Sequence, residues 1–234
     1  MMRRIRMKFR SHGLKGWMFL AIVIVLIVAF GLRALSWVKE KAEDQRLSNL
    51  TSQELAALVT DVSDVEQYRP DLDVQLLTVN PYSRPGIATE EITGIVIHYV
   101  GNPGTTAQEN RDYFEGLKDS GETYASSHFV VGLEGEVIQC IPTSEIAYAS
   151  NSRNDDTISI EVCHPDETGK FNDATYNSLV ELTGWLCEYL QVSPENVIRH
   201  YDITGKECPL YYVEHEDAWE EFKLDVIQWI ENHQ

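Results

Sequence analysis

A chain of 234 residues with 43% apolar content is long enough to bury one moderate core and to carry accessory segments. Its formal net charge is −18, yet positions 1–15 hold six basic residues and no acidic one, so removing those six positive charges leaves −24 for the rest. That balance excludes the basic footprint on which nucleic-acid binding depends, and no nucleic-acid partner is expected.

In chain order, residues 1–15 form a basic segment and residues 16–32 contain no charge, being dominated by Ile, Val, Leu, Phe and Ala. Residues up to 38 extend this run, with Arg33 snorkelling, into a transmembrane signal anchor over 16–38. A cleaved signal peptide and a buried core helix are the competing readings. The basic flank places the N-terminus in the cytoplasm and the bulk of the chain outside the cell membrane. Residues 39–75 are charged and polar and read as a stalk or linker, with a capping box at Thr51-Ser52-Gln53-Glu54 opening a helix through Val59. A small packed helical subdomain is the alternative. The turn formers of Asn80-Pro81-Tyr82-Ser83-Arg84-Pro85-Gly86 mark entry to the folded domain, 76–234.

Within that domain strands and helices alternate. The run Gly94-Ile95-Val96-Ile97-His98-Tyr99-Val100 reads as a strand buried on both faces. Thr106-Ala107-Gln108-Glu109 offers a capping box for a helix to about Leu117. Strands at 127–131 and 136–141 flank a hairpin turn at Gly132-Leu133-Glu134-Gly135, and 157–163 is a further strand. Asn172 or Asp173 caps a helix to about Leu190, a strand covers 197–200, and Trp219, Phe222, Val226, Trp229 and Ile230 recur at helical spacing as core positions. The expected fold class is α/β: a central mixed β-sheet flanked by helices on both faces, preceded by the membrane helix and stalk.

The chemistry concentrates near the end. His200 and Cys208 are separated by seven residues containing Gly205 and Lys206, and imidazole nitrogen with thiolate sulfur is a donor pair that zinc favours. His98, on a buried strand, must find a partner, because an unpaired buried polar group costs roughly 1–3 kcal/mol. Together His98, His200 and Cys208 supply three ligands and leave a fourth position open, the arrangement of a hydrolytic zinc site.

Four ordered blocks now carry a resemblance: Ile95-Val96-Ile97-His98-Tyr99, Ser126-Ser127-His128-Phe129-Val130-Val131 with Gly135, Thr157-Ile158-Ser159-Ile160-Glu161, and the stretch from His200 to Cys208. Over roughly 78–230 the chain resembles the zinc-dependent N-acetylmuramoyl-L-alanine amidases, the superfamily that includes phage endolysins and peptidoglycan recognition proteins. The resemblance implies one catalytic Zn2+ and peptidoglycan as substrate, with cleavage between N-acetylmuramic acid and L-alanine. It implies Glu161 as general base and Lys206 as the stabiliser of the oxyanion. A structural salt bridge and a solvated loop lysine are the plainer readings of those two residues.

Departures exist. Several relatives carry a catalytic tyrosine where this chain has Ser127, which favours the mechanism based on Glu161. His128 alternates with Ser127 and is read as structural. Many relatives have a histidine near Ala149, and its absence bears on substrate positioning. With Cys208 assigned to metal, Cys140, Cys163 and Cys187 are an odd set read as buried free thiols. The expected function is a membrane-anchored peptidoglycan amidase; the alternative is a non-catalytic peptidoglycan-binding module, against which Cys208 argues. A third reading moves the substrate to another amide of the wall.

Overall fold

The computed structural model describes residues 65–233. The expected membrane anchor over 16–38, most of the stalk and the capping-box helix at 51–59 lie outside the described residues. Among the described residues, no helix is long and apolar enough to cross a membrane.

A six-stranded sheet forms the centre. Its strands are β1 (Leu72–Val74), β2 (Gly94–Tyr99), β3 (Phe129–Val131), β4 (Val137–Gln139), β5 (Thr157–Val162) and β6 (Val197–Arg199), in spatial order β1-β4-β3-β5-β2-β6. Only the β3/β4 hairpin is antiparallel; the other neighbours run parallel, so the sheet is mixed as expected. The hairpin strands are shorter than the alternation of 127–131 and 136–141 suggests. β1 is a finding that the polar composition of the 39–75 spacer concealed: Leu72, Asp73 and Val74 pair with Val137, Ile138 and Gln139. An edge strand exposed on one side carries little apolar signal.

Among the described residues the sheet is flanked by helices α1 (Ala107–Ser120), α2 (Asp173–Leu190), α3 (His200–Thr204), α4 (Leu210–Glu214) and α5 (Glu216–His233). The predicted capping box of α1 is present, with Thr106 Oγ1 accepting from Glu109 N at 3.2 Å and Glu109 Oε2 accepting from Thr106 N at 2.9 Å. Asn172, rather than Asp173, caps α2, accepting from Thr175 N at 3.0 Å. Where a strand through His200 is expected, β6 stops at Arg199 and His200 opens α3.

Side-chain alternation divides the sheet into two faces. Ile95, Ile97, Phe129, Val131, Ile158, Ile160 and Val162 pack with Leu179, Leu182 and Leu186 of α2 and Phe222, Val226 and Ile230 of α5. Each such side chain, fully buried, contributes about 1.5–3 kcal/mol. The α5 aromatics Trp219 and Phe222 are therefore core, as their spacing predicts. The other face buries Val130, Ile138 and Cys140 with Ala107 and Phe114 of α1. His98 and Glu161, out of phase with the first set, fall on this second face. All four cysteines are free and buried.

Candidate metal centre

Neighbouring strand ends and one loop bring the three sequence-predicted ligands together. His98 lies one residue before the end of β2, and β6, paired to β2 through Ile95↔Val197 and Ile97↔Arg199, delivers His200 alongside it. Arg199 fixes the start of α3: its guanidinium donates to Tyr212 O at 2.8 Å, Asp202 Oδ1 at 2.9 Å and Glu216 Oε2 at 2.6 Å. Gly205, at φ 76°, ends α3 in the left-handed region and turns the chain back. Tyr201 N then donates to Cys208 O at 3.0 Å, tying the helix to the returning loop.

The result is a buried triad. His98, His200 and Cys208 are 2%, 6% and 2% exposed, and their candidate ligating atoms lie within 4.8 Å of one another. Cys208 Sγ is 3.8 Å from His98 Nδ1, and the two imidazole rings are 4.7 Å apart between centroids. Their outer nitrogens are engaged elsewhere: His98 Nε2 is 3.3 Å from Ser150 Oγ, and His200 Nε2 is 2.7 Å from Asn151 Oδ1. His200 Nδ1 is buried without a hydrogen-bond partner.

Those observations test whether the donors suit zinc. Bond lengths of about 2.0–2.1 Å to nitrogen and 2.3 Å to sulfur separate neighbouring tetrahedral ligands by roughly 3.3–3.7 Å. The pair at 3.8 Å is close to that spacing, and an orphaned imidazole nitrogen points to a missing partner. Electrostatics agree. Burial first, then the charges of His200 and Lys206, hold His98 well below the usual histidine range, and burial with Lys206 lowers His200. Neutral imidazole is the ligating form. Burial and the nearby Glu161 push the Cys208 thiol up to about 12, and a metal ion at the cluster would favour its thiolate. The residues fit a single zinc ion.

Glu161, the direct partner of His98 across β2 and β5, shares its face of the sheet. Its Oε2 is buried and unpartnered, and burial raises the carboxyl to about 8 against the opposing pull of Lys206. Among the described residues no ion pair involves Glu161, so the salt-bridge reading finds no partner. Lys206 is exposed on the loop between His200 and Cys208, and its charge acts on Glu161, His98, His200 and Cys208.

His128 stands apart from the cluster. Ser159 N donates to its Nδ1 at 3.0 Å and its Nε2 donates to Glu145 O at 2.8 Å, which satisfies both nitrogens. Both satisfied nitrogens support the structural reading, although His128, in phase with Val130, lies on the same face of the sheet as Glu161 rather than on the opposite one. Ser127 Oγ is spent on the carbonyls of Phe129 and Ser159, each at 2.9 Å. Ser150 and Asn151 went unnoticed in the sequence, because two small polar residues in a loop carry no periodic or spacing signal.

Fold and donor set together define an α/β domain bearing a buried His-His-Cys group able to hold a metal ion. The sequence profile of the N-acetylmuramoyl-L-alanine amidase family matches residues 88–210, just over half of the chain, and the chain belongs to that family. It is 33% identical over 147 residues to a probable N-acetylmuramoyl-L-alanine amidase of Bacillus licheniformis, covering 58% of this chain and 41% of that protein. It is 32% identical over 167 residues to the N-acetylmuramoyl-L-alanine amidase CwlL of the same organism, covering 66% of this chain and 46% of CwlL. The chain thus spans less than half the length of these curated relatives. Among solved structures, the catalytic domain of XlyA superposes with a TM-score of 0.57 at 25% identity, covering 67% of this chain and 99% of that domain.

Proposed function

We propose that this domain is a zinc-dependent peptidoglycan hydrolase that cleaves the amide between N-acetylmuramic acid and the L-alanine of the stem peptide. One observation carries the chemistry: His98, His200 and Cys208 converge, with an unpaired nitrogen of His200, beside an unpaired carboxylate oxygen of Glu161. Family membership supports the substrate.

His98, His200 and Cys208 would hold the zinc ion, which when bound would supply Lewis acidity toward the scissile carbonyl and lower the pKa of water. Glu161 accepts a proton from the attacking water and delivers it to the nitrogen of the departing L-alanine amine. Its low-dielectric surroundings suit the role, because a carboxyl raised toward neutrality both takes and returns a proton. Lys206 brings an ammonium toward the oxygen on which negative charge develops. Ser127, fully engaged with two carbonyls, takes no part.

The uncharged run at 16–32 and its basic N-terminal flank support an anchored protein whose hydrolase domain faces the cell wall. Membrane fractionation of the full chain, with protease added from the outside, tests that placement. Zinc content and release of new L-alanine amino termini from purified peptidoglycan test the activity. A chain that binds peptidoglycan but holds no zinc and releases no termini would be a recognition module instead.

A further inference from the structure

The two histidine ligands are held from behind by adjacent residues of one loop. Ser150 is buried, 1% exposed, and its Oγ lies 3.3 Å from His98 Nε2. Asn151 places Oδ1 2.7 Å from His200 Nε2. An amide oxygen only accepts, so His200 carries its proton on Nε2 and presents a bare lone pair at Nδ1, the nitrogen left buried and unpartnered beside Cys208 and His98. Ser150 Oγ is placed to accept from His98 Nε2 in the same sense, while the 3.8 Å approach of Cys208 Sγ marks Nδ1 as the nitrogen of His98 that turns inward.

The loop is built for this task. Asn151 has φ 53°, a left-handed conformation that L-residues rarely adopt and asparagine tolerates better than most. Asn154 clamps the turn, its Oδ1 accepting from Ala149 N at 3.1 Å and Ser150 N at 2.6 Å. Thr157 and Arg153 close it on the other side through Thr157 Oγ1 donating to Arg153 O. Position 151 therefore combines an unusual backbone with an acceptor side chain aimed at a ligand.

We propose that Ser150 and Asn151 are positioning residues of the metal centre, which hold the protons of His98 and His200 on Nε2 and thereby aim both Nδ1 lone pairs at one divalent transition cation. The proposal rests on the reading of His98, His200 and Cys208 as a metal site. Histidine ligands commonly donate their second N–H to such an outer partner, and loss of that partner typically lowers metal affinity about 10- to 100-fold.

Asn151→Gly and Asn151→Asp separate the proton-fixing role from a merely structural one. Glycine accepts φ 53° without strain and removes only the side-chain acceptor; aspartate keeps an acceptor and cannot donate. In the full chain, zinc affinity is measured by competition with a chromophoric chelator, and Co2+ absorption reports ligand geometry. The expected result is a loss of roughly 10- to 100-fold in zinc affinity for Asn151→Gly with a changed Co2+ spectrum, and only a small change in the metal-free melting temperature, because relief of the left-handed backbone offsets the lost bond to His200. Asn151→Asp restores affinity to within a few-fold of the parent or better, and Ser150→Ala gives a smaller loss than Asn151→Gly, matching its longer contact. Parental zinc affinity in Asn151→Gly overturns the proposal, as does a failure of Asn151→Asp to recover what glycine loses. A parent chain that binds neither Zn2+ nor Co2+ overturns the metal reading itself, and this proposal with it.

Discussion

His98 and Glu161 are Cα partners in adjacent parallel strands, β2 and β5, so one candidate ligand and one carboxylate stand side by side on the same face of a rigid sheet. Their separation is set by the spacing between strands, about 4.8 Å, rather than by a loop. Sites on such elements hold their geometry more tightly than sites on loops.

That placement has a stability consequence. The carboxyl of Glu161 is raised to about 8 from 4.5, so between those values the folded state holds a proton that the unfolded chain has released. Its contribution is fully present below about pH 4.5 and is lost as pH rises through 8. Glu161→Gln removes this term. The metal-stripped variant should melt above the metal-stripped parent at pH 8 and equal it near pH 4; the shift corresponds to at most about 5 kcal/mol. The same variant, loaded with zinc, should lose about 100-fold or more in amidase rate while keeping its zinc. Thermal melts with chelator and rates with zinc check the two halves.

On the proposed role of its ammonium at the developing oxyanion, Lys206→Ala should lower kcat by about 100- to 1,000-fold while zinc content holds, because Lys206 offers the metal no ligand atom. Single-turnover rates on peptidoglycan fragments, paired with metal analysis, check this. A zinc loss parallel to the rate loss would assign Lys206 to the metal site's integrity instead.

Acid should weaken the fold through His128. Burial brings it down to about 4 from 6.5, and an imidazolium could no longer accept from Ser159 N. Its folded value lies below the unfolded one, so its contribution is complete above about pH 6.5 and lost as pH falls through 4. A shift of that size is about 3 kcal/mol. Denaturant midpoints of the metal-free parent should fall across that window, where His98 and His200 act in the same direction. His128→Asn should be less stable at pH 7 and show a shallower decline.

The α2/α5 interface should not accept a methyl group at Gly184. A Cβ there would stand 2.4 Å from Trp229 Cε3. Alanine gains about 1 kcal/mol in helix propensity, yet the displaced indole should make Gly184→Ala a net loss of about 1–3 kcal/mol. Adding Trp229→Leu should recover part of it in a double-mutant cycle, read by chemical denaturation.

Much of the site was legible because its residues contradict their surroundings. A histidine in Gly94-Ile95-Val96-Ile97-His98 and a glutamate in Ile158-Ser159-Ile160-Glu161 interrupt apolar strands, and burial makes such interruptions costly without a partner. Helix ends were legible for a local reason: Thr106 with Glu109 and Asn172 with Thr175 make their capping bonds within three residues. Strand β1 and the entry of His200 into α3 were not, since the first depends on pairing across 65 residues with β4 and the second on Arg199 reaching Glu216.

By itself, then, the sequence determined which side chains could serve as ligands, because donor chemistry and apolar periodicity are properties of residue type and local order, while the roles of Glu161 and Lys206 came from the family resemblance. Only the tertiary structure decided which nitrogen each histidine turns inward, that Glu161 is unpaired, and that Ser150 and Asn151 stand behind the ligands. Those outcomes depend on hydrogen bonds between residues about 50 positions apart, 98 with 150 and 200 with 151, and such distances close only when the parallel strands pack side by side.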